Sequence, residues 1–111
     1  MEGLRREAFV AAAFSGDYGK PRPALVVQTD LMIDAPSMVL APLTSDLREN
    51  VGLFRVDVTP SETNGLRRPS QIAVDQISPL DRRRIGALIG YADEMTMLRV
   101  DRALRLVLGL N

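Results

Sequence analysis

Three short stretches of the chain combine residue types that can handle a phosphate or a carboxylate. In Pro21-Arg22-Pro23 the two prolines fix their own backbone angles and bias Arg22 toward an extended conformation, so its guanidinium stands on a stiff mount. Lys20 and the Gly19 amide add donors beside it, a set suited to cradling a phosphate. The simpler reading of the same spacing is a loop ended by prolines, with Arg22 paired to a surface carboxylate. Leu43-Thr44-Ser45-Asp46 sets two hydroxyls and a carboxylate in succession. Such residues at a strand exit also serve turns, through side chain to backbone hydrogen bonds. Asp75-Gln76, downstream of Ser70, puts one acid among apolar neighbours, where it is paired, exposed or catalytic. Arg67-Arg68 and Arg82-Arg83-Arg84 read as solvated faces unless the fold brings them to the other candidates.

Composition narrows the chemistry. The 111 residues contain no cysteine and no histidine, which removes disulfide scaffolds, thiol nucleophiles, Cys/His zinc sites and histidine proton carriers. The 14 basic residues balance the 14 acidic ones, so bulk positive charge does not drive binding, although a local patch is allowed. Apart from Lys20 every basic residue is arginine, a planar group that binds phosphate or carboxylate through two parallel hydrogen bonds, and a bias that coding preference also produces. No run approaches the roughly 20 apolar residues of a membrane helix. Arg5-Arg6 before Ala8 to Phe14 imitates a secretion signal, but the apolar run is short and charged residues follow it, so a buried first strand and a cytoplasmic location are expected.

The elements that must hold these residues follow from patterning. With 46% hydrophobic and 25% charged residues the chain reads as one globular domain over residues 1–111. Phe9 to Phe14 is a first strand, ended by the loop Ser15 to Pro21. Ala24 to Val27 is continuously apolar and predicts a strand buried on both faces. Met38 to Leu43 is a third strand in which Pro42 suggests an edge or a bulge. Leu53 to Val58 alternates, with Phe54, Val56 and Val58 on a dry face. Ser70 to Ile77 is a further strand carrying Asp75-Gln76. From Ser78 the signals turn helical, with a capping serine, Pro79 at the first position, Asp81 in the first turn and Gly90 as the stop. A last helix over Asp93 to Leu108 is marked by Met97, Val100, Leu104, Val107 and Leu108 at spacings of three and four. Strands followed by helices predict a small α+β domain on an antiparallel sheet or partly open barrel.

Taken in order, Gly19 to Val27, Pro42-Leu43-Thr44-Ser45, Gly65 to Ser70 and Asp75-Gln76-Ile77 resemble the MazF/PemK family of toxins from bacterial toxin-antitoxin modules, over nearly the whole chain. The resemblance implies a small SH3-like antiparallel β-barrel with a C-terminal α-helix, a homodimer, and an endoribonuclease that needs no metal or other cofactor. Such an enzyme cuts single-stranded RNA, chiefly mRNA, at a short recognition sequence. The family's catalytic arginine falls on Arg22 and its catalytic threonine on Thr44. Arg22 would hold the non-bridging phosphate oxygens as charge builds and the Thr44 hydroxyl would donate to the same group. RNA-binding positions implied around them are Asp17, Tyr18, Lys20, Ser45, Arg68, Ser70, Asp75 and Gln76, with Tyr18 the stacking candidate and Phe9, Phe14 and Phe54 assigned to the core. The implied partner is an antitoxin whose acidic, disordered tail folds onto the dimer.

The chain departs from the family in three places. Where the family has Arg-Gly-Asp or Arg-Gly-Glu before its first strand, this chain has Arg6-Glu7-Ala8. Asp17 is the only acid left in the loop before Arg22 and stands in as a candidate base. Ala73 occupies the position where one plasmid-encoded branch carries an arginine, which leaves Asp75 a positioning or binding role. Two alternatives stay open: a gyrase-poisoning toxin similar to CcdB, disfavoured by the absence of tryptophan, and a catalytically weakened module that only binds antitoxin.

Overall fold

A computed structural model describes residues 3–14 and 20–110. Seven strands, β1 (Ala8–Ala12), β2 (Arg22–Val26), β3 (Ser37–Thr44), β4 (Arg55–Val58), β5 (Ser70–Ala73), β6 (Ser78–Asp81) and β7 (Ile85–Tyr91), precede one helix, α1 (Glu94–Leu108). The strands form one antiparallel sheet in the order β4-β5-β3-β2-β1-β7, with β6 also on β3. Among the described residues no helix is long and apolar enough to cross a membrane.

The sheet is buried on both faces, and strand alternation divides its side chains between two cores. Phe9, Leu25, Ala41 and Leu43 enter one core with Val56, Val58, Ile72 and Val74, and α1 covers that core with Met97, Val100 and Ala103. Ala8, Val10, Ala12, Ala24, Val26, Met38 and Leu40 enter the other with Leu80 and Ile85. This is why Ala24 to Val27 is apolar without a break, as its pattern predicted.

Helix α1 forms where its spacing placed it. The Asp93 carboxylate accepts from the Thr96 N–H at 2.7 Å and Gly109 closes the helix at φ 70°. Of the expected stripe, Leu108 is exposed, and Ala103 is buried in addition.

The helix expected from Ser78 to Gly90 is instead strand β6, a 3₁₀ turn at Arg82–Arg84 and strand β7. The helical signals serve other ends. Asp81 caps the short turn by accepting from the Arg83 N–H at 2.9 Å. Pro79 is tolerated because β6 pairs only with β3. Gly90 lies where a Cβ would meet the Asn64 carbonyl at 2.4 Å, so it permits close packing instead of ending a helix. The need that overrides local preference is the second edge of β1, which β7 fills from Ala8↔Tyr91 to Ala12↔Ile85.

Smaller corrections have similar causes. Pro42 lies in a central strand, at the position between the segment of β3 paired with β6 (Ser37–Leu40) and that paired with β5 (Leu43–Thr44), where β2 alone matches it. Phe54 is 42% exposed and outside the core, because its N–H closes a turn to the Val51 carbonyl and β4 begins only at Arg55. Asp75 and Gln76 lie in a 3₁₀ turn, Val74–Gln76: β5 ends at Ala73, and the Val74 N–H adds one more bond in register, to the Phe54 carbonyl, before the chain turns.

Candidate active site

The β1–β2 connection, the end of β3 and the β4–β5 loop converge on one open groove of about 760 Å³. The first contributes Lys20 and Pro21-Arg22-Pro23, the second Leu43-Thr44-Ser45, and the third Gly65 to Arg68 with Ser70, while Ala11 and Ile89 complete the lining. Four cationic side chains, Lys20, Arg22, Arg67 and Arg68, and three hydroxyls, Thr44, Ser45 and Ser70, thus share a surface on which no described residue carries a carboxylate. The fold supplies the local positive patch that a neutral chain allows, suited to a polyanion.

Each wall is built by identifiable bonds. Arg22 opens β2 opposite Ala12 and is exposed, so the proline-flanked mount sits at the strand's mouth. Thr44 closes β3, half-buried, and its Oγ1 accepts from the Asp46 N–H at 3.1 Å. This is the turn bond expected of a hydroxyl at a strand exit. A hydroxyl has one proton, and with a lone pair engaged by the amide that proton remains available to donate.

The β4–β5 loop is organised from within by Asn64, only 6% exposed. Its Oδ1 accepts from the Ser61 and Leu66 N–H groups, both at 2.9 Å, and its Nδ2 donates to the Thr59 carbonyl at 2.9 Å. The loop is pinned to β7 by the Tyr91 N–H donating to the Thr63 carbonyl at 2.9 Å. Beside it Gly65, at φ +68°, would meet the Ile89 carbonyl at 2.2 Å if it had a Cβ. Ser70 Oγ then donates to the Arg68 carbonyl at 3.0 Å, so Arg67 and Arg68 project from a fixed backbone.

Of the positions picked out by sequence, Arg22, Thr44, Lys20, Ser45, Arg68 and Ser70 come together here. Asp75 and Gln76 do not line the groove. The Asp75 carboxylate lies 3.4 Å from Arg55 Nε and accepts from Gln76 Nε2 at 3.3 Å. Asp17 and Tyr18 lie outside the described residues. Sequence reasoning missed Asn64, although the Asn64-Gly65 pair is a turn signal, and missed the buried Gln71, for which a lone amide in an apolar strand gives no local signal.

Residues 5–108 match the family described as PemK-like, MazF-like toxin of type II toxin-antitoxin system. The probable endoribonuclease MazF of Mycolicibacterium smegmatis is 32% identical over 108 residues, spanning 96% of this chain and 98% of the relative. Endoribonuclease EndoA of Bacillus subtilis is 28% identical over 104 residues, 93% of this chain and 89% of the relative. Among solved structures, an endoribonuclease in complex with its cognate antitoxin from a mycobacterial species shares the fold with a TM-score of 0.80, at 23% identity and 96% coverage of both chains. With the family pattern matched across almost its whole length and a relative above 30% identity, the chain belongs to the PemK-like, MazF-like toxins of type II toxin-antitoxin systems.

Proposed function

We propose that this chain is the toxin of a toxin-antitoxin pair and acts as a sequence-specific endoribonuclease on single-stranded RNA, mRNA above all, without a metal ion. The observation that carries the proposal is the gathering of Arg22, Thr44, Lys20, Arg67 and Arg68 in one groove free of described carboxylates, in a chain of this family. Relatives named as endoribonucleases favour this reading over the gyrase poison and the inactive module.

In the proposed reaction the ribose 2′-oxygen attacks the adjacent phosphorus and the 5′-oxygen leaves, giving a 2′,3′-cyclic phosphate and a 5′-hydroxyl. The 2′-hydroxyl requirement selects RNA over DNA. Arg22 binds two non-bridging oxygens in its planar fork as negative charge accumulates, and the Thr44 proton bonds to the same group. Arg22 serves by charge and geometry, its planar fork presenting paired donors to the phosphate. Lys20, Arg67 and Arg68 track flanking phosphates, and Ser45 and Ser70 offer hydrogen bonds to the strand. Asp17 is the candidate base in the β1–β2 loop.

The active form is a cytoplasmic homodimer of one toxin domain per chain. An antitoxin with an acidic, disordered tail silences it by laying carboxylates along the same cations.

The test is incubation of purified protein with long single-stranded RNA in EDTA, beside Arg22→Ala and Thr44→Ala, with product ends mapped. Cuts at a recurring short sequence ending in cyclic phosphate, slowed about a hundredfold or more in both variants, are expected. Intact RNA across several unrelated substrates refutes the proposal.

A further inference from the structure

Gln71 lies in β5 directly opposite Thr44 in the β3–β5 register, and only 5% of it is exposed. A buried carboxamide must have its donors and acceptors met. One partner, Asp57, is its opposite number in the β4–β5 register, and the other two bonds leave the sheet for the Arg48 backbone. Oε1 accepts from the Arg48 N–H at 3.1 Å, and Nε2 donates to the Arg48 carbonyl at 2.8 Å and to Asp57 Oδ1 at 3.0 Å. The first two bonds hold the Arg48 backbone from both sides, as a neighbouring strand would, although residues 45–54 form none.

This loop is the one that leaves Thr44. Two residues before Arg48, the Asp46 N–H donates to Thr44 Oγ1, so the orientation of that hydroxyl depends on where the loop is held. Residues 45–50 are all exposed, so no apolar burial anchors the segment. The ion pair of Arg48 with Asp46, at 3.8 Å and solvent-exposed, adds little.

We propose that Gln71 is a positioning residue for RNA cleavage: by gripping Arg48 it fixes the Thr44–Asp46 turn and so aims the Thr44 proton at the phosphate. The proposal rests on the endoribonuclease reading above.

The test uses the full chain. Gln71→Met fills the same space without hydrogen bonds. It is expected to lower kcat about tenfold or more while KM for RNA stays within about threefold, because misplacement near 1 Å is enough for such a loss. The Asp46 and Arg48 amides should exchange faster with solvent. Gln71→Glu sets a carboxylate oxygen against both the Arg48 carbonyl and Asp57 and should be equally impaired, and Gln71→Glu with Asp57→Asn, which relieves only the second repulsion, should stay well below wild-type kcat because the Arg48 carbonyl still lacks its donor. Asp57→Asn alone should match wild type.

Wild-type kcat with unchanged exchange in Gln71→Met overturns the proposal, as does wild-type kcat in Gln71→Glu with Asp57→Asn, where the bond to the Arg48 carbonyl is lost. If Gln71→Met fails to fold, Gln71→Glu with Asp57→Asn decides, with reduced kcat and faster Arg48 exchange supporting the clamp and wild-type values of both overturning it. If wild-type protein leaves RNA intact, the endoribonuclease reading fails. Amide exchange in Gln71→Met then settles the clamp by itself, with faster exchange supporting it and unchanged exchange overturning it.

Discussion

Replacing Thr44 with valine removes a hydroxyl while keeping the branched shape, and the structure separates its two consequences. The first is local. Oγ1 accepts one bond, from the Asp46 N–H at 3.1 Å, and that amide is exposed. Water replaces the lost acceptor, so the cost falls at the low end of a hydrogen bond's range, about 0.5 kcal/mol. For a domain of this size that lowers Tm by about 2 °C. The second consequence concerns the transition state. Removing one donor aimed at developing oxyanion charge costs about 2.7–4 kcal/mol, or 10²–10³ in kcat. Thr44→Val should therefore stay folded and bind RNA while turnover collapses. Thr44→Ser, which keeps the proton but loses the stiffness of a branched side chain, should stay within about threefold of wild type. Single-turnover cleavage of a labelled RNA, with melting curves for all three proteins, makes the comparison. Thr44→Val with more than about a tenth of wild-type turnover would show that the donor is not used in the transition state.

Three further outcomes follow from the backbone and its charges. Glu7 sits at φ 85°, where the family pattern has glycine, held by its N–H to the Val26 carbonyl and by its carbonyl to the Ala92 N–H. Glu7→Gly relieves about 1–2 kcal/mol of left-handed strain against about 0.5–1 kcal/mol of added chain entropy. Tm should rise by a few degrees, and Glu7→Ala, which keeps the strain, should not raise it. Gly90→Ala forces a methyl to within 2.4 Å of the Asn64 carbonyl. It should destabilise by about 1–3 kcal/mol in urea titration and weaken RNA binding by displacing Arg67 and Arg68. Asp81 has its pKa lowered from 3.8 to about 2 by hydrogen bonds from the Arg83 side chain and backbone. Because the folded value is the lower one, its contribution is present above about pH 4 and lost as pH falls toward 2, so Asp81→Asn should flatten the urea midpoint across that window.

What the sequence revealed and what it concealed differ by range. Ala24 to Val27 announces two-sided burial because both faces of one strand need apolar residues, and α1 announces itself through its cap and stripe, all within a few residues. Ser78 to Gly90 misleads because a serine, a proline, an aspartate and a glycine in helical order are local evidence, while the vacant edge of β1 is not. At the groove, Arg22 and Thr44 stand out through their neighbours in the chain. Gln71 does not, since its value lies in Arg48 and Asp57, 23 and 14 residues away. Asp75-Gln76 was visible as a pair, but its direction depends on β5 stopping at Ala73, where the chain turns into a 3₁₀ turn.

The pairing of β1 with β7 also fixes when the protein can become active. Ala8 meets Tyr91, and Gly65 packs on the Ile89 carbonyl, so the groove needs a strand made after all the others. Contacts this distant along the chain form slowly, on the millisecond-to-second scale typical of sheet proteins. A nascent chain that already displays Lys20, Arg22 and Thr44 still lacks the wall that would enclose a nucleotide. The topology therefore acts as a timer: assembly of the groove waits until β7 has emerged, however early the other walls are made.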